Sequence, residues 1–497
     1  MFLATRGHRM RTCGAVLVVS AVLASCGGGG GGGTGPVASA GPAVQMWVTT
    51  ADQSRLLARD TDQAFGATAI DASNIDVDAT TRYQTMVGFG AAITDSSAWV
   101  MQHDMSSAQR DALLADLFGV SPGIGLSFTR LTIGASDFSL GQYTLDDVPA
   151  GQTDDSLAHF SIAPMRANVL PVVKSALSLN PRLQVMATPW SAPAWMKNNG
   201  SLVKSADPTI QGSLLPSAYS AFAQYLGKFA DAMQAEGVPL YALTPQNEPN
   251  YEPADYPGML LSPAARVALI GKYLGPLLAQ RATPLKLLDW DHNWDDPAAA
   301  MASLNDPVAQ AFVAGVAWHC YAGDVSSQTA VDNAFPATET YVTECSGGAW
   351  APVWADNLLW SVNTLVINAT RDWAKGVLLW NLALDENSGP HTGGCTNCRG
   401  VVTINSATGD VTRNVEYYAL AHASRFVRPG AQRITSSTAV NGLQSVAFRN
   451  ADDGSLALIV ANGAGRAMSF SVRQAGQTFS YSMPAGAVAT FVWTPAA

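Results

Sequence analysis

The chain is short of charge, and shortest of positive charge: 28 Lys and Arg stand against 38 Asp and Glu in 497 residues, a formal net charge of −10. With no basic field to release counterions from a phosphate backbone, nucleic acid is excluded as a partner. Histidine is scarce, seven in all, and no convincing His cluster recurs along the chain, which argues against a metal-dependent hydrolase. After residue 25 no segment reads as a membrane span, which takes about 20 apolar residues. Six cysteines in so long a chain exclude a small disulfide-built scaffold. Charged residues at 13% and hydrophobic ones at 48% leave ample apolar surface for a packed core and exclude disorder over most of the length. Tryptophan, by contrast, is plentiful at 13 residues. That abundance suits stacking on flat neutral ligands such as sugar rings, although large β/α cores also consume it.

The chain begins with an address. Arg6, Arg9 and Arg11 precede an apolar run over 14–23 broken only by Ser20, the shape of a signal peptide. The run ends in Leu23-Ala24-Ser25-Cys26, which resembles a bacterial lipoprotein box, and seven consecutive glycines over 27–33 follow as a flexible tether. The expectation is a signal peptide over 1–25, lipidation of Cys26, a tether over 26–43, and an exported bacterial lipoprotein. Its only hold on a membrane, at the periplasmic or cell-surface side, would be the lipid. An ordinary cleaved secretory signal is the alternative. Four further cysteines remain, Cys320, Cys345, Cys395 and Cys398, and an even number in an exported chain suits disulfides. Cys395 and Cys398 have the spacing of half a zinc site, but the second close Cys/His pair is missing, so no metal is expected.

Between residues 84 and 385, short β-branched or apolar runs alternate with longer amphipathic stretches. Eight runs stand out, at 85–89, 126–133, 183–188, 240–244, 285–289, 313–318, 340–343 and 376–380. The stretch 216–236 recurs at helical spacing and stops at Gly237-Val238-Pro239. Eight β/α units predict an α/β fold, a (β/α)8 TIM barrel over 84–430. The flanks have no helical period. Residues 431–497 read as short strands broken by Asn441-Gly442, Asp453-Gly454 and Asn462-Gly463, pairs that favour hairpin turns. They predict a β-sandwich, joined by strands from 44–83.

In such a barrel the chemistry lies where the strands end. The fourth run continues into Gln246-Asn247-Glu248-Pro249 and the seventh into Thr343-Glu344-Cys345. Two carboxylates just past strands four and seven are the minimum machinery of glycoside hydrolysis, in which one protonates the leaving oxygen while the other attacks or activates water. Glu339, at the start of the seventh run, and Glu252, in a loop, are assigned structural roles.

The ordered motifs Gly88-Phe89-Gly90-Ala91-Ala92-Ile93-Thr94-Asp95, Arg130 to Ser139, Thr188-Pro189-Trp190-Ser191-Ala192-Pro193, Asn247-Glu248-Pro249, Thr343-Glu344 and Trp380-Asn381 resemble glycoside hydrolase family 30. That is the family of acid β-glucosidases that includes glucosylceramidases. The resemblance implies Glu248 as general acid/base and Glu344 as nucleophile, with no cofactor and no metal. Asn247 is expected to hydrogen-bond a sugar 2-OH, Asp95 to accept from sugar hydroxyls, and Trp190 and Trp380 to wall the ring. Arg130 is expected to orient Glu344 and Tyr321 to hydrogen-bond it, with His319 as a supporting spacer or a participant. Ala91, Cys320 and Cys345 depart from the animal glucosylceramidase pattern at the rim, which leaves the substrate open. The expected partner is a β-glucoside, either a glycolipid or a β-glucan. Glucosylceramide is placed first and β-1,6-glucan second, with a non-catalytic glycan-binding lipoprotein as the reading from another class. The carboxyls are expected about 5 to 5.5 Å apart, which implies retention of configuration. Cys320 and Cys345, following neighbouring strands six and seven, are expected to pair, as are Cys395 and Cys398.

Overall fold

The computed structural model describes residues 41–67 and 70–495. The expected signal segment, Cys26 and the glycine tether through residue 40 lie outside the described residues. All eight runs are strands: β1 (Gly88–Ala92), β2 (Phe128–Ile133), β3 (Gln184–Pro189), β4 (Ala242–Leu243), β5 (Lys286–Asn293), β6 (Val313–His319), β7 (Glu339–Glu344) and β8 (Ala374–Asn381). They run parallel and close in chain order into a barrel, β8 pairing with β1. Parallel neighbours need a crossover, and amphipathic helices supply it. The helix Tyr219–Ala235 buries Phe222, Leu226, Phe229 and Met233 along one face, each contributing about 1.5–3 kcal/mol on leaving water. It stops at Gly237, whose φ of 78° is left-handed and open to glycine at little cost.

The barrel has a packed interior. Phe128, Met186, Ala242, Leu288, Ala317, Tyr341 and Leu378 fill it, one from each of β2 to β8. β1 contributes Gly90, where a Cβ would lie 1.8 Å from the Phe128 carbonyl oxygen. Beneath this plug Glu339 takes Lys286 and Lys375, each at 2.5 Å, while at the other end of the barrel, in the loop after β4, Glu252 accepts from the Gly212 amide at 2.6 Å. Both are structural, as their positions in the sequence implied. The plug closes the barrel below the strand ends, so a ligand meets the site from the C-terminal face alone.

Apart from two small sheets at the barrel's rim, the remaining strands form one sheet whose path runs Ala58–Arg59, Ala43–Thr49, Val488–Trp493, Leu456–Asn462, Leu443–Arg449, Gln432–Ser436, Asn74–Thr85, Met468–Gln474 and Gln477–Met483. It folds over on itself as a sandwich. Phe470 and Phe491 belong to strands far apart on the path, yet their rings lie 6.0 Å apart. The strands before the barrel do join those after it, and the barrel is inserted between them. The sheet starts at Ala43, one residue inside the stretch expected as tether, because the Gly41 amide is already tied to the Phe65 carbonyl at 2.9 Å. The helix Val415–Ser424, buried throughout, joins the two parts. Its His422 is hydrogen-bonded to Thr490 and Thr49 of the sheet at 2.9 and 2.8 Å. Burial holds that imidazole down at about 3, hence neutral.

Candidate active site

Glu344 is the last residue of β7 and pairs with His319, the last of β6. The two strand ends are fastened just beyond that rung by the Cys320–Cys345 disulfide, Cα atoms 5.3 Å apart. Glu248 follows β4 in a left-handed backbone turn with φ 46°, and its amide donates to the Asp291 carbonyl at 3.0 Å. The loop and the disulfide bring one carboxylate oxygen of each glutamate, and a ring nitrogen of His319, within 4.8 Å of one another.

The partners divide cleanly. Arg130, wholly buried, donates to Glu344 Oε2 at 2.5 Å, to Asn247 Oδ1 at 2.8 Å and to Asp291 Oδ2 at 2.9 Å. The Tyr321 hydroxyl donates to the other Glu344 oxygen at 2.9 Å. Enclosure beside Glu344 and Glu248 pushes that phenol well above its usual value, so it stays a donor. His319 bridges Glu248 Oε1 at 3.0 Å and Asp291 Oδ1 at 3.2 Å. Burial favours its neutral form, but Glu344, Asp291 and Glu248 outweigh burial and hold its pKa up at about 9. For Glu248 burial favours the acid, yet the hydrogen bond and charge of His319 outweigh it and lower the pKa. The resting pair is therefore imidazolium and carboxylate, sharing one proton along a single hydrogen bond.

Two residues central to this network carry no role in the sequence reading. Asp291 on β5 accepts from Arg130, from Thr244 at 2.7 Å, from Thr343 at 2.6 Å and from Thr188 at 3.1 Å. Burial opposes its ionisation, but Arg130, His319 and Thr244 hold it far below the usual carboxylate range. Asp137, in the loop after β2, is buried near both glutamates and meets the Trp380 indole; burial, with Glu344 beside it, pushes its pKa well up.

Asp95 stands just past the end of β1 with one carboxylate oxygen held. The expected sugar acceptor opens the helix Asp95–His103, and its Oδ2 is taken by the Ser139 and Tyr143 hydroxyls, each at 2.7 Å. The structure ties it to the β2 loop, and the carboxyl facing the glutamate pair from that loop is Asp137. The two tryptophans act as a unit. Trp190 and Trp380 stack on each other, centroids 4.9 Å apart and 20° between planes, with Arg130 lying 4.7 Å from the Trp190 ring centre. They form one wall together. Cys395–Cys398 closes the second disulfide, with Cα atoms 5.6 Å apart. Its loop is pinned to that same wall, the Gly394 amide donating to Asp255 at 2.9 Å and Thr392 to the Asp137 carbonyl at 2.8 Å.

Residues 86–427 match the family described as glycosyl hydrolase family 30 TIM-barrel domain, and residues 430–491 its beta sandwich domain. The chain belongs to glycoside hydrolase family 30. It is 36% identical over 426 residues to an endo-1,6-beta-D-glucanase of Neurospora crassa, covering 83% of this chain and 86% of that one. A solved structure, the endo-beta1,6-glucanase BT3312, superposes with a TM-score of 0.81 at 31% identity, over 91% of this chain and 99% of that one. A glucosylceramidase-like protein of Caenorhabditis elegans is 28% identical, over 78% of this chain and 77% of its own. The family 30 barrel thus holds its two strand-end glutamates in a dense ring of donors, with the stacked indoles and Asp137 on one flank.

Proposed function

We propose that the chain is a retaining endo-β-1,6-glucanase. The observation that carries the reaction type is that one oxygen of Glu248 and one of Glu344 lie within 4.8 Å of each other, well inside the about 6.5–9.5 Å that an inverting pair keeps for its water and suited to double displacement. In the first step a Glu344 oxygen bonds to the anomeric carbon. The glycosidic C–O bond breaks with its electron pair leaving on oxygen, and Glu248 protonates that oxygen. The proton reaches Glu248 from His319 Nδ1 along their 3.0 Å hydrogen bond. In the second step Glu248 takes a proton from water, the water oxygen bonds to the anomeric carbon, the ester to Glu344 breaks, and the sugar leaves in its original β configuration. Asn247, anchored through its oxygen to Arg130, has its amide N–H free for a sugar hydroxyl. Asp95, with one carboxylate oxygen left by Ser139 and Tyr143, and Asp137 accept from sugar hydroxyls, and Trp380 and Trp190 flank the ring.

The substrate follows the relatives. Those named for β-1,6-glucan reach 36% and 31% identity, against 28% for the glucosylceramidase-like one, which reverses the order set by the sequence motifs. Incubation with a linear β-1,6-glucan should release gentio-oligosaccharides with β-configured new ends, followed by time-resolved NMR. Glucose from glucosylceramide in detergent, with the glucan untouched, would overturn the substrate; initial α-anomer would overturn the mechanism. Action outside the cytoplasm as a Cys26 lipoprotein belongs to the same proposal, and loss of membrane association in Cys26→Ser tests it.

A further inference from the structure

The residues just after the nucleophile face two ways. Cys345, Ser346 and Gly347 carry the chain off β7, and their outer side lines a second cavity of about 360 Å3, outside the barrel, between this loop and the helices beyond it. That volume lies within the range of small-ligand pockets, about 300–1,000 Å3.

Two large aromatic side chains stand at its walls. Trp350 is 53% exposed and Trp360 is 47% exposed, a costly way to leave indoles unless something covers them. Trp350 is held firmly. A Cβ at Gly348 would lie 1.9 Å from the Trp350 ring, so the indole rests flat against bare backbone. That backbone is itself fixed, Gly347 and Gly348 pairing with Arg399 and Cys398, and the Ala349 amide donating to the Asn397 carbonyl at 2.9 Å. The platform is therefore in place before any ligand arrives.

The polar groups narrow the ligand. Glu416 lies buried in the lining, gripped by Arg399 through contacts of 2.8 to 3.0 Å, with lone pairs to spare on a carboxylate that accepts several bonds. Asp356 adds a second carboxylate, and no Lys or Arg is among the lining residues. Anionic ligands are repelled. Flat apolar faces with acceptors beside them suit a neutral polyhydroxylated ring, whose C–H face stacks and whose hydroxyls donate.

We propose that this cavity is a secondary sugar site that takes a glucose unit of the β-glucan chain, separate from the unit being cleaved. The proposal rests on the glucanase reading. Its position follows from the chain, because the loop that carries Trp350 begins at the residue bonded to Glu344. A polymer held at the outer side stays beside the cleft between cuts.

The test compares the full-length enzyme with Trp350→Ala, Trp360→Ala and the conservative Trp350→Phe on two substrates, a soluble β-1,6-glucan and an aryl β-glucoside. Trp350→Ala and Trp360→Ala should raise KM for the glucan about five-fold, the loss of one stacking contact. kcat on both substrates and KM for the aryl glucoside should stay within about two-fold, and Trp350→Phe should recover most of the loss. Glucan KM unchanged in both alanine variants overturns the site. So does an equal fall on both substrates, which would mean that the loop merely supports Glu344. Displacement of a fluorescent fatty acid from the wild type but not from the variants, with glucan KM unmoved, would assign the cavity to an acyl chain and overturn it as well. If the wild type fails on β-1,6-glucan while cleaving the aryl glucoside, the substrate reading falls by that observation alone. In that case, binding of gentiobiose to Glu344→Ala by calorimetry, with and without Trp350→Ala, decides the site.

Discussion

The two glutamates sit within one ring of side chains, yet their seats are built on different chemistry. Glu344 ends a regular strand, is locked to its neighbour by a disulfide, and takes donors from Arg130 and Tyr321, neither of which changes charge near neutral pH. Glu248 stands in a left-handed turn and takes its hydrogen bond from His319, the residue type that titrates most readily. A nucleophile must present the same oxygen at the same place in each cycle, whereas an acid/base must give up and regain a proton. Fixed partners serve the first task and a proton-sharing partner the second.

The hardest way to break this contrast is to remove each carboxylate. Glu344→Ala should lower turnover about 10^4-fold or more on every substrate, and azide should restore cleavage of an activated aryl glucoside by filling the vacated space. Glu248→Ala should lose about 10^2- to 10^4-fold on glucan but spare the first step for leaving groups that need little protonation. Equal behaviour of the two variants on activated substrates would erase the distinction.

A pH titration sharpens it. His319 has its pKa raised from 6.5 to about 9 in the folded state. Its stabilising contribution is thus fully present below about 6.5 and lost as pH rises through about 9. The wild-type melting temperature should fall across that window, and His319→Gln should flatten the fall. The alkaline limb of kcat/KM should move below about 9 in the same variant, because the shared proton is then held by Glu248 alone. A limb that does not move would remove His319 from the proton path.

The smallest effects belong to the disulfides. Loss of Cys320–Cys345, which spans 25 residues, should cost about 3.5 kcal/mol on chain-entropy grounds, and loss of Cys395–Cys398, spanning 3, about 2 kcal/mol. Denaturant unfolding of Cys→Ala pairs checks the order. Only the first pair adjoins the nucleophile, so only its loss should also lower kcat.

The regular parts of this molecule were legible in sequence because period and turn chemistry express them directly: eight strands, the inserted barrel and both cysteine pairs follow from spacing. Asp291 was not legible, for a definite reason. Asp289 and Asp291 are two apart and would share one face of a flat strand, yet Asp289 points outward to Arg266 at 2.9 Å while Asp291 points into the barrel. A bulge between them makes this possible. Trp290 pairs with Ala317 and His292 with the next residue, Trp318, leaving Asp291 extra, with left-handed φ of 76° and 59° at Trp290 and Asp291. Such a bulge re-aims a side chain without any mark in the hydrophobic pattern. Asp95 shows the opposite limit: its motif is recognisable, but the Ser139 and Tyr143 hydroxyls that hold one of its carboxylate oxygens are distant in sequence.

The order in which a ribosome delivers this chain conflicts with the order in which its sheet pairs. Ala43–Thr49 hydrogen-bonds to Val488–Trp493 and to the small strands beside it, so the strand Ala-Val-Gln-Met-Trp-Val-Thr emerges long before its main partner exists. At about 5–20 residues per second the wait is on the order of tens of seconds. The barrel between them can collapse in that time while the edge of this apolar strand that Val488–Trp493 will cover stays bare, a surface that invites pairing with another chain. Nascent protein should therefore need a holding factor on this segment until the last strand has been made.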